Sequence, residues 1–318
     1  MKMKNSILCV SALTVLLAGA SSVRAADVYW DGGGTDDLWD TPANWVGDVL
    51  PGAGDIGLID DFLTAVVDGS VAASAKRVVV GMYDEATMNV TGGSITSAGG
   101  SGAFTVGRRG PGTDGPGTNL GGPGVMNVSG GMVVSGQDLI IGNAAGSSGV
   151  INMSNGTIDV TGRMEVGDKG DGILNMNGGT INISTNLSLS DNNAGFSGIV
   201  NMTDGTINVT GDLILPLNDN GIAEFHLDGG LVTADDLTMR PTGNGSLDLT
   251  AGVLELVDDD TSVIDGYITA GWLTGYGSSA NVRRAFADAT TTVWAVPEPS
   301  TMLLLSLGGL AALIRRRR

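Results

Sequence analysis

Five times between residues 88 and 205 the chain repeats one unit: apolar, Asn, apolar, two small or polar residues, Gly. The copies are Met88-Asn89-Val90 to Gly93, Met126-Asn127-Val128 to Gly131, Ile151-Asn152-Met153 to Gly156, Leu174-Asn175-Met176 to Gly179, and Val200-Asn201-Met202 to Gly205. Two degenerate copies follow, Phe225-His226-Leu227 to Gly230 and Leu247-Asp248-Leu249 to Gly252. Successive glycines lie 38, 25, 23, 26, 25 and 22 residues apart, and the long first interval contains a Gly/Pro-rich insert from Arg108 to Pro123. A period near 24 residues is the signature of a solenoid. Each unit holds three short stretches of alternating apolar residues, as in Ile151/Met153, Ile158/Val160 and Met164/Val166. Strands this short cannot bury an apolar face alone, whereas stacked coils pair edge to edge around a continuous inner column. The expected fold is all-β: a single-stranded, right-handed parallel β-solenoid with three short strands per coil, flanked by an N-terminal signal helix and a C-terminal hydrophobic helix. Fifty-two glycines and 4% aromatic residues agree with a chain dense in turns.

Stacking assigns faces. Alternation sends the residues on either side of each asparagine inward and the asparagine outward. Asn89, Asn127, Asn152, Asn175 and Asn201 then form one row, in which amides spaced about 4.8 Å apart can hydrogen-bond from coil to coil as a structural ladder. The glycine four residues on serves a tight turn with positive φ. The repeats occupy 62–257, with 62–86 as an irregular first coil and Val78-Val79-Val80-Gly81 echoing Leu139-Ile140-Ile141-Gly142 in the third-strand position. Open solenoid ends template aggregation unless covered. Residues 27–61, with Trp30, Trp39 and Trp45, are expected to form an N-terminal cap, or alternatively a platform for stacking on carbohydrate. They resemble the opening module of exported repeat proteins such as autotransporter passengers. Residues 258–295, containing Trp272 and Trp294, are expected to form a C-terminal cap followed by a spacer from about 278.

Both termini carry addresses. Lys2 and Lys4 precede an apolar stretch from Ile7 to Ala20, and Val23-Arg24-Ala25 supplies small residues for cleavage, so 1–26 reads as a signal peptide. The only cysteine, Cys9, lies within it, which leaves the exported body without disulfides. At the other end Val296-Pro297-Glu298-Pro299 is followed by the apolar run Met302–Ile314 and by Arg315, Arg316, Arg317 and Arg318. Thirteen apolar residues fall short of the roughly 20 that span a bilayer core, so the segment reads as a transient stop with its arginines on the cytoplasmic side. Residues 296–318 closely resemble the PEP-CTERM sorting tail of exported Gram-negative proteins, also catalogued as the ice-binding protein C-terminal domain. The resemblance implies a passing inner-membrane intermediate, processing by an exosortase-like enzyme, and delivery to the cell surface or medium.

Seven of the 16 basic residues lie in the two ends, leaving nine to face the chain's 34 acidic ones. Such a surface repels nucleic acid and anionic lipid and excludes a nucleic-acid role. A single histidine, His226, occupies the asparagine slot of its unit, and no cysteine accompanies it in the body, which argues against nucleophilic triads and zinc sites. Asp159, Glu165 and Glu255 sit on strands at different angular positions, and Arg163 stands without an evident partner, so no catalytic group is assigned. Weakly bound calcium is the one cofactor the sequence suggests. Asp168 and Asp171, together with the acidic turns at 191–193, 218–220 and 258–260, supply oxygen ligands without a complete calcium motif. Ice binding requires regular threonine rows, but the position after the repeat glycine reads Ser94, Met132, Thr157, Thr180, Thr206, Leu231, Val253. The expected function is that of a non-enzymatic structural or adhesive component of the surface or extracellular matrix, interacting with extracellular polysaccharide or with itself. The alternative is a β-helix that binds or cleaves polysaccharide.

Overall fold

A computed structural model describes residues 26–100, 102–108, 122–190, 195–218, 220–240 and 244–297. The expected signal helix and hydrophobic tail helix lie outside these residues. The chain winds through about nine turns as a parallel β-solenoid with three faces. The asparagine-bearing first face runs from Thr64–Val67 through Ser148–Met153 to Leu273–Gly275. The second face runs from Ala72–Ala75 through Thr157–Val160 to Val253–Val257, and the third from Asp27–Tyr29 through Met164–Val166 to Leu237–Met239. Coil pairs to coil in register: Asn127, Asn152, Asn175 and Asn201 are successive backbone partners, as are Thr157, Thr180 and Thr206.

The inner column is filled as alternation requires. Ile151 and Met153 of the first face, Ile158 and Val160 of the second, and Met164 and Val166 of the third are all buried. Two features depart from the expectation of short, half-exposed strands. Asp171–Ile183 and Ser197–Val209 each run for 13 residues through the corner between the first and second faces, because the turn residues of one coil stay paired to those of the next across a register shift. On the third face the outward row is also buried: Leu58, Val79, Thr105, Ile140, Glu165 and Ser188 are each 5% exposed or less. A corner loop covers part of this row. Gly102 lies against the Arg77 guanidinium, the Thr105 hydroxyl and Ile140, and its carbonyl accepts hydrogen bonds from Arg77 Nε and Thr105 Oγ1, both at 3.2 Å.

The repeat glycines from Gly93 to Gly230 adopt positive φ, and Gly252 does not. A second glycine row closes the other side of each coil. Gly81, Gly107, Gly142 and Gly167 follow the third-face strands with φ of 72–76°. They face the backbone of a neighbouring coil so closely that a Cβ on Gly167 would lie 2.3 Å from the Ser197 carbonyl oxygen. At the next equivalent position Ser190 adopts φ 53°, with its hydroxyl donating to the Phe196 carbonyl at 2.8 Å.

Both ends are covered. Trp30 and Trp39 pack edge-on against Trp45, with ring centroids 5.1 and 4.6 Å apart, and Trp45 Nε1 donates to the Trp39 carbonyl at 2.8 Å. All three rings are 3% exposed or less. They plug the column and cannot serve as a platform for sugar rings, which corrects the alternative drawn from their clustering. At the other end, helix Thr261–Ala270 inserts Ile264 into the core. The stretch from 278, expected to be a spacer, instead folds as a hairpin of Val282–Ala287 and Thr290–Ala295. Its second strand pairs antiparallel with Val253–Val257 and so ends the parallel stack with the opposite register. Nothing in this segment shares the repeat pattern, so the period near 24 does not reveal its strands.

The glycine rows give a graded test. Gly195 also has positive φ, 74°, yet a Cβ there meets nothing within 4 Å. Gly195→Ala is expected to cost about 1 kcal/mol from backbone strain alone, and Gly167→Ala about 3 kcal/mol because strain and a coil-to-coil clash combine. Urea unfolding midpoints of the two variants would measure this; equal losses would contradict the close approach.

Candidate functional site

The first-face asparagines form a continuous amide ladder. Asn127 Nδ2 donates to Asn89 Oδ1 at 2.8 Å, and Asn152, Asn175 and Asn201 each donate to the preceding member at 2.9 Å. The interior amides Asn127, Asn152 and Asn175 therefore point the same way along the axis, each using one of its two N–H donors and one of its acceptor lone pairs. The row continues in register through His226, Asp248 and Thr274, but as different chemistry. His226 Nε2 lies 3.5 Å from Glu224 Oε2, and Thr274 Oγ1 donates to Asp248.

A second ladder on the second face was missed. Asn182 Nδ2 donates to Asp159 Oδ1 at 2.7 Å, Asn208 Nδ2 to Asn182 Oδ1 at 2.9 Å, and Thr233 Oγ1 to Asn208 Oδ1 at 3.3 Å. Its signal was the recurrence of short polar residues two positions after Thr157, Thr180 and Thr206. Mixed identities hid a row that any hydrogen-bonding side chain can continue.

Beside the first ladder, at the corner leading to the second face, an open trough of about 490 Å³ crosses four coils. One wall is Asn127, Asn152, Asn175 and Asn201; the other consists of Ser129, Ser154, Asn177 and Thr203. Val128, Met153 and Met176 lie between them. No lining side chain is charged, on a chain with 34 acidic residues.

The carboxylates considered for chemistry are dispersed. Asp159 and Glu255 lie in different coils of the second face and Glu165 on the third. Arg163 has partners after all: its guanidinium lies 2.8 Å from Glu165 Oε1 and 3.7 Å from Asp138 Oδ2, and its backbone N–H donates to Asp138 Oδ1 at 2.9 Å. A buried carboxylate such as Glu165 is costly without a countercharge, and Arg163 supplies it.

Asp168 and Asp171 are held by different partners. Asp168, 4% exposed, accepts from Asn143 Nδ2 at 3.0 Å and lies 3.4 Å from Lys169 Nζ. Asp171 Oδ1 accepts from the backbone N–H and hydroxyl of Ser197, at 2.9 and 2.8 Å. Among the described residues, Asp212, Asp235 and Asp236 bring one carboxylate oxygen each within 4.8 Å of the others. They are oxygen donors suited to a hard cation. Asp212 and Asp236 are 24 residues apart, one coil, and this spacing could have revealed them. Burial, then the charges of Asp236 and Asp235, raises the Asp212 carboxyl above its usual range. Burial likewise raises Asp260, reinforced by Asp236, Asp258, Asp259 and Asp235.

Of the sorting residues, Val296 and Pro297 lie among the described residues, and Glu298, Pro299 and Arg315 to Arg318 lie outside them. Val296 donates its backbone N–H to the Asn281 carbonyl at 2.8 Å, so the body is folded up to the first tail residue. No helix among the described residues is long and apolar enough to cross a membrane.

A raised carboxyl makes the folded state bind its proton before the unfolded state does, so stability is gained as pH falls through the folded value. Asp212→Asn removes the partly buried charge, and with it the repulsion from Asp236 and Asp235, at every pH. The variant is expected to melt higher than the parent at pH 7, with the difference shrinking on acidification toward pH 4. Thermal melts across that range would check this; a difference independent of pH would contradict the assigned cause.

The PEP-CTERM protein-sorting motif, defined as a family of sequences, matches residues 295–318 of this chain. The motif indicates export toward the cell surface and recognition by an exosortase-like processing enzyme. Neither a curated protein nor a solved structure is found to match the chain.

Proposed function

We propose that this exported β-solenoid is a non-enzymatic structural or adhesive component of the cell surface or extracellular matrix of a Gram-negative bacterium. The observation that carries the reading is a sorting motif attached directly to a sealed, repetitive body. A signal peptide over 1–26 starts export, and the first strand, Asp27–Tyr29, begins just after the expected cleavage point. The apolar run Met302–Ile314 then holds the chain at the inner membrane until the tail is processed at or near Pro297-Glu298-Pro299. Parallel crossovers are overwhelmingly right-handed, and the coils are taken to wind in that sense. Extended dimensions, paired backbones and an acidic surface suit a component that must persist outside the cell without a metabolic role.

The second reading is a polysaccharide-binding or polysaccharide-cleaving solenoid. The uncharged trough beside the asparagine ladder favours binding. Dispersal of Asp159, Glu165 and Glu255 over separate coils and faces disfavours cleavage, which needs paired carboxyl groups on opposite sides of one bond.

Intact mass spectrometry after fractionation of cells carrying the native export machinery tests the proposal. The expected species begins near Asp27, ends between 296 and 299, and is found in the surface or medium fraction. Replacing Pro297-Glu298-Pro299 by alanines should leave a chain retaining Arg318 in the inner membrane. An unaltered parent chain found only there would overturn the assignment to the surface.

A further inference from the structure

We infer that the trough beside the asparagine ladder is a binding site for one linear, uncharged glycan chain laid along the solenoid axis. This deepens the surface or matrix role proposed above, and rests on it, by naming the partner and the place where it docks.

Three observations converge on that chemistry. The first is periodicity. In-register coils place the amides of Asn127, Asn152 and Asn175 at intervals of about 4.8 Å. The ladder bonds fix all of them in one orientation. Each interior amide retains one N–H donor and one carbonyl lone pair after its ladder bonds are made. A donor and an acceptor thus recur at every step of a row, and the opposite wall adds a hydroxyl or amide per coil at Ser129, Ser154, Asn177 and Thr203. A ligand that answers such a row must itself repeat and must offer both donors and acceptors, as a chain of sugar hydroxyls does.

The second observation is charge. Thirty-four acidic residues give the chain a negative field, yet the trough lining carries no charge. An anionic polymer would be repelled by the whole and find no cation in the site to hold it. A cationic polymer would find no carboxylate in the trough and would be drawn to the acidic turns instead. Neutral chains alone meet their complement here, because amides and hydroxyls exchange hydrogen bonds with them without stranding a buried charge.

The third is shape. The trough is open and crosses four coils, giving it a length of about 14 Å between its outermost amides at the usual strand spacing. An open-sided channel accepts the middle of a polymer. Between the polar walls Val128, Met153 and Met176 line the bottom of the trough, each 2% exposed or less and so part of the inner column. The walls therefore supply the contacts, and hydroxyls projecting sideways from a sugar chain reach them. An aromatic platform is absent from the lining, so affinity must come from repetition along the chain.

Affinity electrophoresis of the exported protein tests this, using native gels containing hydroxyethyl cellulose, galactomannan or anionic polygalacturonate. Retardation is expected in at least one neutral gel and not in polygalacturonate. The double variant Ser154→Glu/Asn177→Glu projects charge into the trough from two exposed positions and leaves the ladder intact. It should raise the apparent Kd at least about tenfold. Thr185→Glu, exposed at a different corner, adds charge without effect on binding. Matching circular dichroism spectra and melting points would show that the variants fold. Retardation only by polygalacturonate, equal retardation of parent and double variant, or none in either neutral gel would each overturn the site. Dimerisation of the parent in sedimentation velocity without glycan, lost in the double variant, would assign the trough to a second copy instead. Loss of the site in these assays leaves the surface location intact, because the mass and fraction of the processed chain report that separately.

Discussion

Parallel, in-register pairing of each coil with the next is the interaction on which everything else in the molecule depends. Once Asn152 is the backbone partner of Asn175, and Asn175 of Asn201, every position in the unit meets its own equivalent about 4.8 Å away. Favourable self-contacts are then multiplied along the axis: amide on amide on the first face, threonine on threonine at the start of the second, aliphatic on aliphatic inside. Unfavourable self-contacts multiply too. Corners must therefore bring backbone to backbone, and glycine rows follow at Gly81, Gly107, Gly142 and Gly167. The same constraint sets the chemistry of the surface, since any outward row becomes a periodic array.

A quasi-one-dimensional stack has its weakness at its ends. Here the two ends are closed by different physics. Three tryptophans occupy the cross-section of the column at the N-terminal end, replacing the next coil by aromatic surface. At the other end the antiparallel strand Thr290–Ala295 satisfies the last second-face strand while imposing a register that another coil cannot continue. The adjoining strand, Val282–Ala287, exposes Arg283 and Arg284, charges of the kind that discourage further edge pairing. No disulfide is available to the body, so these closures and the continuous core carry the stability. The sorting motif begins at the last residue of the closing strand, which joins the cellular address directly to the cap that seals the fold.

Charge is distributed with equal consequence. Acidic residues collect in turns, where burial and then the neighbouring Asp236 and Asp235 raise the Asp212 carboxyl. Glu165, by contrast, is neutralised beneath Arg163. In the trough beside the asparagine ladder no lining side chain is charged, and there the surface offers amides and hydroxyls. The surface thus separates a negative body from a neutral, repetitive trough.

How much of this was legible depends on whether a feature repeats. The period near 24, the inward-outward alternation and the asparagine row were readable because identical residues at a fixed spacing can stack only one way. Those patterns determined the solenoid, the faces and the core of the first two strands in each coil. The tail was readable for a different reason: membrane passage and enzyme recognition act on local sequence, before and independently of folding. Tertiary structure decided whatever rests on contacts between dissimilar residues. Asp159, Asn182, Asn208 and Thr233 become one ladder only when stacking aligns them. Arg163 gains Glu165 and Asp138, and the tryptophans turn inward from a platform into a plug. The closing hairpin has no repeat to announce it, and the trough exists only as the space between two rows. A spacing along the chain records which residues recur; what faces them across a corner or beneath a cap is set by the path of the backbone through space.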